Sequence, residues 1–245
     1  MGVSASNDFT AIKKTVKKFF SGLRKGQRNT YSSNQMKIGK HLKSIKGKIF
    51  FYKKELPQTT IVIGTSAPPV TYEGNYALKV SNYILGGGSF NSRLMREIRV
   101  KIGLAYMVQS IVRGRKNTGV FLAFTQTKNN TAKLVLTLLL ENIKIISEKR
   151  VSADELKWAK EAIIKSYIFK FDTPANILNK YLDIEYNDLP SNYNKTYMNK
   201  IKNVTNDAIL KQNKSLFKNG FVVVVLGSEK VKESIKNFGE IVDLN

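Results

Sequence analysis

The order of strand-like and helical segments in this 245-residue chain predicts an α+β fold, in which helices pack against an antiparallel-rich sheet. Two segments rich in β-branched and aromatic residues, 49–54 and 59–67, come first and lie on either side of Pro57. Segment 118–127 has alternating apolar residues after a basic hairpin loop, and 222–226 is a continuous β-branched run. Between these strand-like segments, apolar residues recur at helical spacing, so strands and helices follow one another in blocks.

The helical segments carry start signals that place their first residues. Ser152 and Glu155 form the Ser-x-x-Glu pattern of a capping box, and Thr173 followed by Pro174 is typical of a helix N-terminus. Segment 131–149 is apolar on most sides and is therefore predicted to be buried. After residue 48 the predicted helices are those over 76–85, 131–149, 153–171, 174–186, 193–200 and 206–217, a helix that carries Arg93, Arg96, Glu97 and Arg99, and a last helix in which Val231, Ile235 and Phe238 face inward.

The stretch from Leu85 to Val112 contains the candidate site, and it opens with three glycines, Gly86 to Gly88. They follow the helix over 76–85, and a helix commonly ends in a left-handed residue. Ser89 or Asn91 is predicted to cap the next helix.

The next helix and strand have predicted faces. Leu94, Ile98 and Ile102 fall four residues apart and are predicted to form the buried stripe of the helix, which ends at Gly103. In the strand that follows, alternation predicts one common face, made of Tyr106, Val108, Ser110 and Val112.

The strings GGGSFNSRL and REIRVKIGLAY, in this order, resemble the second half of pitrilysin- or insulinase-type zinc peptidases (inverzincins), the group that includes mitochondrial processing peptidases. In that family, an arginine and a tyrosine seven residues apart point at the substrate from the half without zinc. The matching positions here are Arg99 and Tyr106. The resemblance also makes the glycine-rich turn a substrate-binding segment, which consists of Gly86, Gly87, Gly88, Ser89 and Phe90.

The resemblance implies one half of a clamshell that closes around an extended peptide. Catalytic halves of the family carry an H-x-x-E-H zinc motif, and this chain, with its single histidine, cannot form one. We therefore expect no cofactor in this chain, zinc in the partner half, and a peptide as substrate. The H-x-x-E-H half would belong to the same full-length protein or to a separate subunit.

Arg99 and Tyr106 would donate hydrogen bonds to substrate carbonyl groups or to the oxyanion formed during hydrolysis. Each residue also has a purely structural interpretation. Arg99 could form a surface salt bridge, for instance with Glu97 or with a carboxylate of the chain's tail, and Tyr106 could be a half-buried strand aromatic.

The sequence predicts three segments. Residues 1–26 are expected to be a strand–helix remnant of a preceding half, with Phe9, Ile12, Val16 and Phe19 or Phe20 inward, so we expect the chain to be a fragment. Residues 27–47 are polar and predicted to be a linker, which contains the only histidine, His41. Residues 48–245 are predicted to form the zinc-free peptidase domain.

The net charge of +23 raises the alternative of a nucleic-acid-binding protein. The lysines are scattered through every segment and form no basic stripe interleaved with aromatic residues, which disfavours it. A further alternative is a non-enzymatic scaffold or binding protein of the same fold. The longest apolar run, 134–140, is too short for a membrane span, and the first residues lack the pattern of a signal peptide, so the compartment stays open.

Overall fold

A computed structural model describes residues 9–23 and 45–244, in which six strands form one mixed sheet. The order across the sheet is β3-β4-β2-β5-β1-β6. Three of its strand pairs are antiparallel, and β1 pairs in parallel with β5 and β6. The predicted α+β class with an antiparallel-rich sheet is confirmed. The strands are β1 (Lys48–Lys53), β2 (Gln58–Ala67), β3 (Ala105–Gly114), β4 (Gly119–Lys128), β5 (Val222–Gly227) and β6 (Glu240–Asp243).

The helices begin where the sequence places their caps. The capping box of Ser152 and Glu155 is formed in full, and the Thr173 hydroxyl accepts a hydrogen bond from the Asn176 amide. In the described part of the chain, no helix combines the length and apolar character that crossing a membrane requires. The helices are α1 (Phe9–Phe20), α2 (Asn75–Asn82), α3 (Ala132–Glu148), α4 (Ala153–Tyr167), α5 (Pro174–Tyr186), α6 (Tyr193–Lys202), α7 (Asn206–Phe217) and α8 (Glu229–Ile235).

The main core lies between one face of the sheet and the helices. Phe51, Ile61 and Phe121 project from the sheet and are fully buried, and Leu136 and Leu139 of α3 meet that core. Burying a side chain of this size stabilises a fold by roughly 1.5–3 kcal/mol, so this layer supplies the main driving force for folding.

The chain ends add one strand that the sequence analysis did not predict. Glu240–Asp243 forms the edge strand β6, and its pairing with β1, almost two hundred residues earlier, leaves no local pattern. In α1, Ile12, Val16 and Phe20 are partly covered, so of the alternatives Phe19 and Phe20 it is Phe20 that is covered, whereas Phe19 is 78% exposed. The expected strand end and cap at residues 3–8 and most of the expected linker, with His41, lie outside the described residues.

Candidate functional site

The glycine-rich turn packs against the edge strand β3. Helix α2 continues into a π-helical turn, Tyr83–Gly87, in which Gly86 is buried. A Cβ atom on Gly86 would lie 2.5 Å from the Ser110 amide nitrogen, and one on Gly88 would lie 2.6 Å from the Tyr83 carbonyl oxygen and against Trp158. The turn can approach β3 and α4 this closely because both positions lack a side chain.

Hydrogen bonds fix this approach. The Asn82 amide donates to the Ser110 carbonyl oxygen (3.1 Å), and the Ser110 hydroxyl donates to the Asn82 side-chain oxygen (2.8 Å). The left-handed residue expected among the glycines is instead Ser89, with φ 52°, whereas Gly88 has φ −92°. The turn therefore closes one residue later than the sequence suggested.

The helix that carries Arg99 differs from its prediction at both ends. It starts at Arg93 after Ser92, whose carbonyl oxygen accepts from the Arg96 amide (2.9 Å), so neither Ser89 nor Asn91 caps it. Leu94 and Ile98 are buried as predicted, but Ile102 is 49% exposed.

The segment Met95–Val100 is π-helical, and its wider turns shift the residues that follow around the axis. A stripe of residues four apart therefore does not continue through it to Ile102. The helix ends, as predicted, at Gly103, which has φ 63°.

Arg93 attaches this helix to α4. Its guanidinium forms two hydrogen bonds of 2.7 Å with the Glu155 carboxylate, and both side chains are mostly buried. The same carboxylate accepts the Ser152 amide hydrogen bond of the capping box. The Arg93 hydrogen bond is the main reason why the pKa of Glu155 is lowered to about 2. The pair thus joins the Arg99 helix to α4.

Arg93→Ala is expected to lower the free energy of unfolding by about 1.5–3 kcal/mol, the usual contribution of a hydrogen bond to a charged group. Because the folded-state pKa of Glu155 is depressed, the stabilisation is complete above the unfolded-state pKa of about 4.3 and is lost as pH falls towards about 2. Urea denaturation should therefore show the difference between wild type and Arg93→Ala shrinking as the pH is lowered through this range.

Arg150→Ala is the matched control, because Arg150 pairs with Asp207 through side chains that are 64% and 72% exposed. Its loss is expected to cost less than about 1 kcal/mol. Equal losses for the two variants would contradict a structural role for the Arg93–Glu155 pair.

A β-bulge at the start of β3 turns Tyr106 outward. Ala105 pairs with Thr127 and Val108 with Thr125, so the β3 side contains one residue more than the β4 side. Tyr106 and Met107 are consequently 84% and 49% exposed, whereas Val108 is buried. The prediction that Tyr106 shares a face with Val108 is wrong, because alternation does not hold through a bulge.

Arg99, Phe90 and Tyr106 form one cluster, named here the Arg99 surface, in which both rings are exposed and Arg99 is partly covered. The Arg99 guanidinium carbon lies 4.7 Å from the centre of the Phe90 ring and 4.9 Å from the centre of the Tyr106 ring. Cation–π contacts of this kind hold a guanidinium in place. Within the described residues, neither the guanidinium nor the Tyr106 hydroxyl forms a hydrogen bond or an ion pair.

The alternative of an Arg99–Glu97 salt bridge is not observed. Glu97 instead pairs with Lys101 (2.8 Å) and, more loosely, with Arg96 (3.6 Å). Because the Arg99 guanidinium has no hydrogen-bond or ion-pair partner among the described residues, its N–H groups remain available to a ligand.

The structure divides the predicted site residues into two groups. Phe90, Arg99 and Tyr106 meet at the Arg99 surface, and Ser89 is exposed beside Phe90. Gly86 and Gly88 are buried and support the turn from behind, with Gly87 between them. Sequence reasoning did not single out Met107, which is exposed because the bulge interrupts the alternation of the strand.

No zinc site is offered by the residues that the structure describes. They contain no group of three or more His, Cys, Asp or Glu side chains that could hold a metal ion. The whole sequence has one histidine and no cysteine, which leaves only carboxylates as a source of further ligands. The donor set of this chain therefore does not fit a catalytic zinc ion.

Comparisons with known proteins identify the family. Residues 3–163 match the family described as Peptidase M16 inactive domain. The chain belongs to the M16 peptidase family. The inactive domain is the non-catalytic half of M16 proteases, so the predicted relationship to the second half of pitrilysin-type zinc peptidases is confirmed.

Similar proteins carry both peptidase and non-peptidase names. An uncharacterized zinc protease of Rickettsia felis is 27% identical to this M16 domain over 234 residues, which cover 87% of this chain and 53% of that protein. The non-peptidase homolog YmxG of Helicobacter pylori is 35% identical over 127 residues, 52% of this chain and 29% of that protein.

A protease from Helicobacter pylori has the same fold in its crystal structure. The TM-score is 0.75 at 15% identity, over 91% of this chain and 54% of that one. Two curated zinc proteases match this chain over most of its length, and the chain spans about half the length of each of them.

Proposed function

We propose that this chain is the substrate-binding half of a zinc metalloendopeptidase, in which Arg99 and Tyr106 act on the peptide that is cleaved. The observation that carries the proposal is the Arg99 surface. The Arg99 guanidinium lies 4.7 and 4.9 Å from two exposed aromatic rings, and among the described residues its N–H donors have no partner. This arrangement supports a role in hydrogen bonding to an extended peptide.

The chemistry of the two side chains suits a developing negative charge. The guanidinium carries a positive charge with several N–H donors, and the phenol can donate one hydrogen bond. Preorganised donors of this kind stabilise the oxyanion that forms when a peptide carbonyl is attacked. Ser89 and Phe90 would contact the neighbouring part of the peptide, and the buried glycines would hold the turn in position.

The catalytic half would carry the H-x-x-E-H motif and supply the zinc ion, because the donor set described above does not fit zinc. We place the boundary of the present half near Lys48, where β1 begins and the pairing with β5 and β6 starts. The two halves would belong to one longer protein or to two subunits.

The proposal is tested by complementation with the H-x-x-E-H half encoded in the same genome. We expect this chain alone and the isolated catalytic half to leave an unstructured fluorogenic peptide uncleaved, and the mixture to cleave it. Neither half alone is expected to act, because one lacks the metal ligands and the other lacks the oxyanion donors. A catalytic half that works equally well without this chain would contradict the proposal.

The second candidate is a binding or scaffold protein of the same fold. The name of the Helicobacter pylori relative, a non-peptidase homolog, favours it. In that case the mixture would form a stable complex without peptidase activity, which the same experiment detects by size-exclusion chromatography.

A further inference from the structure

A cavity lies at the far end of β3 from Tyr106, beside the β3–β4 hairpin. Its volume is about 430 Å³, which is within the range of small-molecule sites. Tyrosine rings form much of its wall, together with a short apolar segment, Leu189 and Pro190. The tyrosines are Tyr72, Tyr76 and Tyr193.

Behind this wall lies a lysine without an acidic partner. The Lys79 ammonium donates a hydrogen bond to the Tyr193 hydroxyl (3.2 Å) and lies 4.9 Å from the centre of the Tyr197 ring. It also faces the Tyr76 ring at 5.8 Å. Among the described residues no carboxylate pairs with Lys79, so only aromatic faces and one phenol compensate its charge.

The acidic residues at the cavity are already neutralised. Glu73 pairs with Lys200 at 2.6 Å, and Asp188 pairs with Lys116 at 2.5 Å. A further lysine, Lys170, lies over the Tyr167 and Tyr197 rings on the other side of the aromatic cluster, again without an acidic partner in the described part of the chain. The charges around the cavity therefore leave an excess of positive potential.

The Tyr193 hydroxyl connects Lys79 with the wall of the cavity. It accepts the Lys79 hydrogen bond, and the centre of its ring lies 6.3 Å from that of the Tyr76 ring. Since the Lys79 ammonium can only donate, the Tyr193 hydroxyl keeps its own proton for another acceptor, and Tyr76 places a second phenol in the same wall. Burial raises the pKa of both phenols, which keeps them protonated as hydrogen-bond donors.

We propose that this cavity binds a small organic carboxylate that carries an aromatic ring. The Tyr76 hydroxyl donates to the carboxylate, Lys79 stabilises its charge through Tyr193, and the tyrosine walls stack on the ring. This site is separate from the Arg99 surface. The outcome of the complementation experiment, positive or negative, therefore does not test this proposal.

Protonation of Lys79 couples this binding to pH. Burial lowers the pKa of Lys79 to about 8, and the positive charges of Lys170 and Lys180 add to the effect. A bound carboxylate favours the protonated form, so affinity is expected to fall as pH rises through about 8. The titratable and charged groups around Lys79 are Glu73, Tyr76, Tyr167, Lys170, Lys180, Asp183, Tyr193, Tyr197 and Lys200.

Benzoate and its neutral isostere benzamide are the probes, titrated into the 245-residue chain by ligand-observed NMR. Benzoate is expected to bind with a Kd on the order of 1 mM, as for a ligand of this size. Benzamide is expected to bind at least about tenfold more weakly. Raising the pH from about 7 to about 9.5 should weaken benzoate several-fold, because Lys79 loses its proton.

Variants locate the site. Tyr76→Phe keeps the ring and removes the donor, and Lys79→Met removes the charge, so each should weaken benzoate at least about fivefold. Lys165→Met is the control, since it removes an equal charge from a side chain that is 78% exposed, and it should leave the affinity unchanged. If Lys79→Met does not fold, the affinity of Tyr76→Phe for benzoate decides whether the proposal holds. Unsaturable benzoate binding, equal affinity for benzamide, or an unchanged Tyr76→Phe affinity would each overturn the proposal.

Discussion

Replacing Arg99 by alanine or Tyr106 by phenylalanine is expected to lower the turnover number of the assembled two-half enzyme by on the order of a hundredfold or more. Loss of one preorganised donor to an oxyanion costs about 2.7–4 kcal/mol in the transition state, which gives this factor. The measurement is kcat and KM for a defined peptide. A donor used mainly in the transition state should change kcat more than KM.

Two substitutions of Tyr106 separate the contribution of its hydroxyl from that of its ring. Tyr106→Phe keeps the ring that lies 4.9 Å from the Arg99 guanidinium, so Arg99 stays in place and only the hydroxyl is lost. Tyr106→Ala removes that ring as well and leaves Phe90 as the single aromatic support of Arg99. If Arg99 depends on this support, Tyr106→Ala should be the more damaging substitution.

Arg96→Ala provides the control for charge and helix stability. Arg96 lies one turn before Arg99, with a side chain that is 49% exposed and only a loose contact of 3.6 Å to Glu97. We expect its replacement to leave kcat and the melting temperature nearly unchanged. An equal loss of activity in Arg96→Ala, or a loss in Arg99→Ala that merely follows unfolding, would return Arg99 to a structural role.

Local patterns in the sequence were sufficient to predict most of the fold. The helix predicted over residues 206–217 has those bounds in the structure, and the capping box predicted at Ser152 and Glu155 is formed. These features depend on residues within one or two helical turns, so a single sequence contains the information. Edge strand β6 has no such local signal, because it exists only through its pairing with β1.

The resemblance selected the residues of the candidate site, but the sequence did not predict the local backbone that positions them. The motif resemblance selected Arg99 and Tyr106, and the structure brings them together on one exposed surface. The bulge that exposes Tyr106 arises from the pairing of β3 with β4, and the π-helical turn that exposes Ile102 arises in the packed helix. Neither feature leaves a periodic signal in the sequence, which is why the faces assigned to Tyr106 and Ile102 were wrong.

Gly86→Ala and Gly88→Ala are expected to lower the stability of the domain by about 1–3 kcal/mol each, the usual cost of overpacking a core. A Cβ at either position would meet backbone atoms, the Ser110 nitrogen at 2.5 Å and the Tyr83 oxygen at 2.6 Å, which cannot rotate away. Replacing glycine by alanine also reduces the entropy of the unfolded chain, which favours folding by about 0.4–1 kcal/mol where the residue fits. The collision is therefore expected to outweigh the entropic gain.

Gly22→Ala is the matched control, because no atom of the residues that the structure describes lies within 4 Å of the Cβ that it would add. Thermal unfolding should show a melting temperature several degrees lower for Gly86→Ala and Gly88→Ala, since about 1 kcal/mol corresponds to roughly 2–4 °C in a domain of this size, and little change for Gly22→Ala. A Gly88→Ala variant as stable as the wild type would mean that the turn tolerates a side chain. The close approach to β3 and α4 would then not explain the glycines, and a direct role of their backbone in peptide binding would have to account for them.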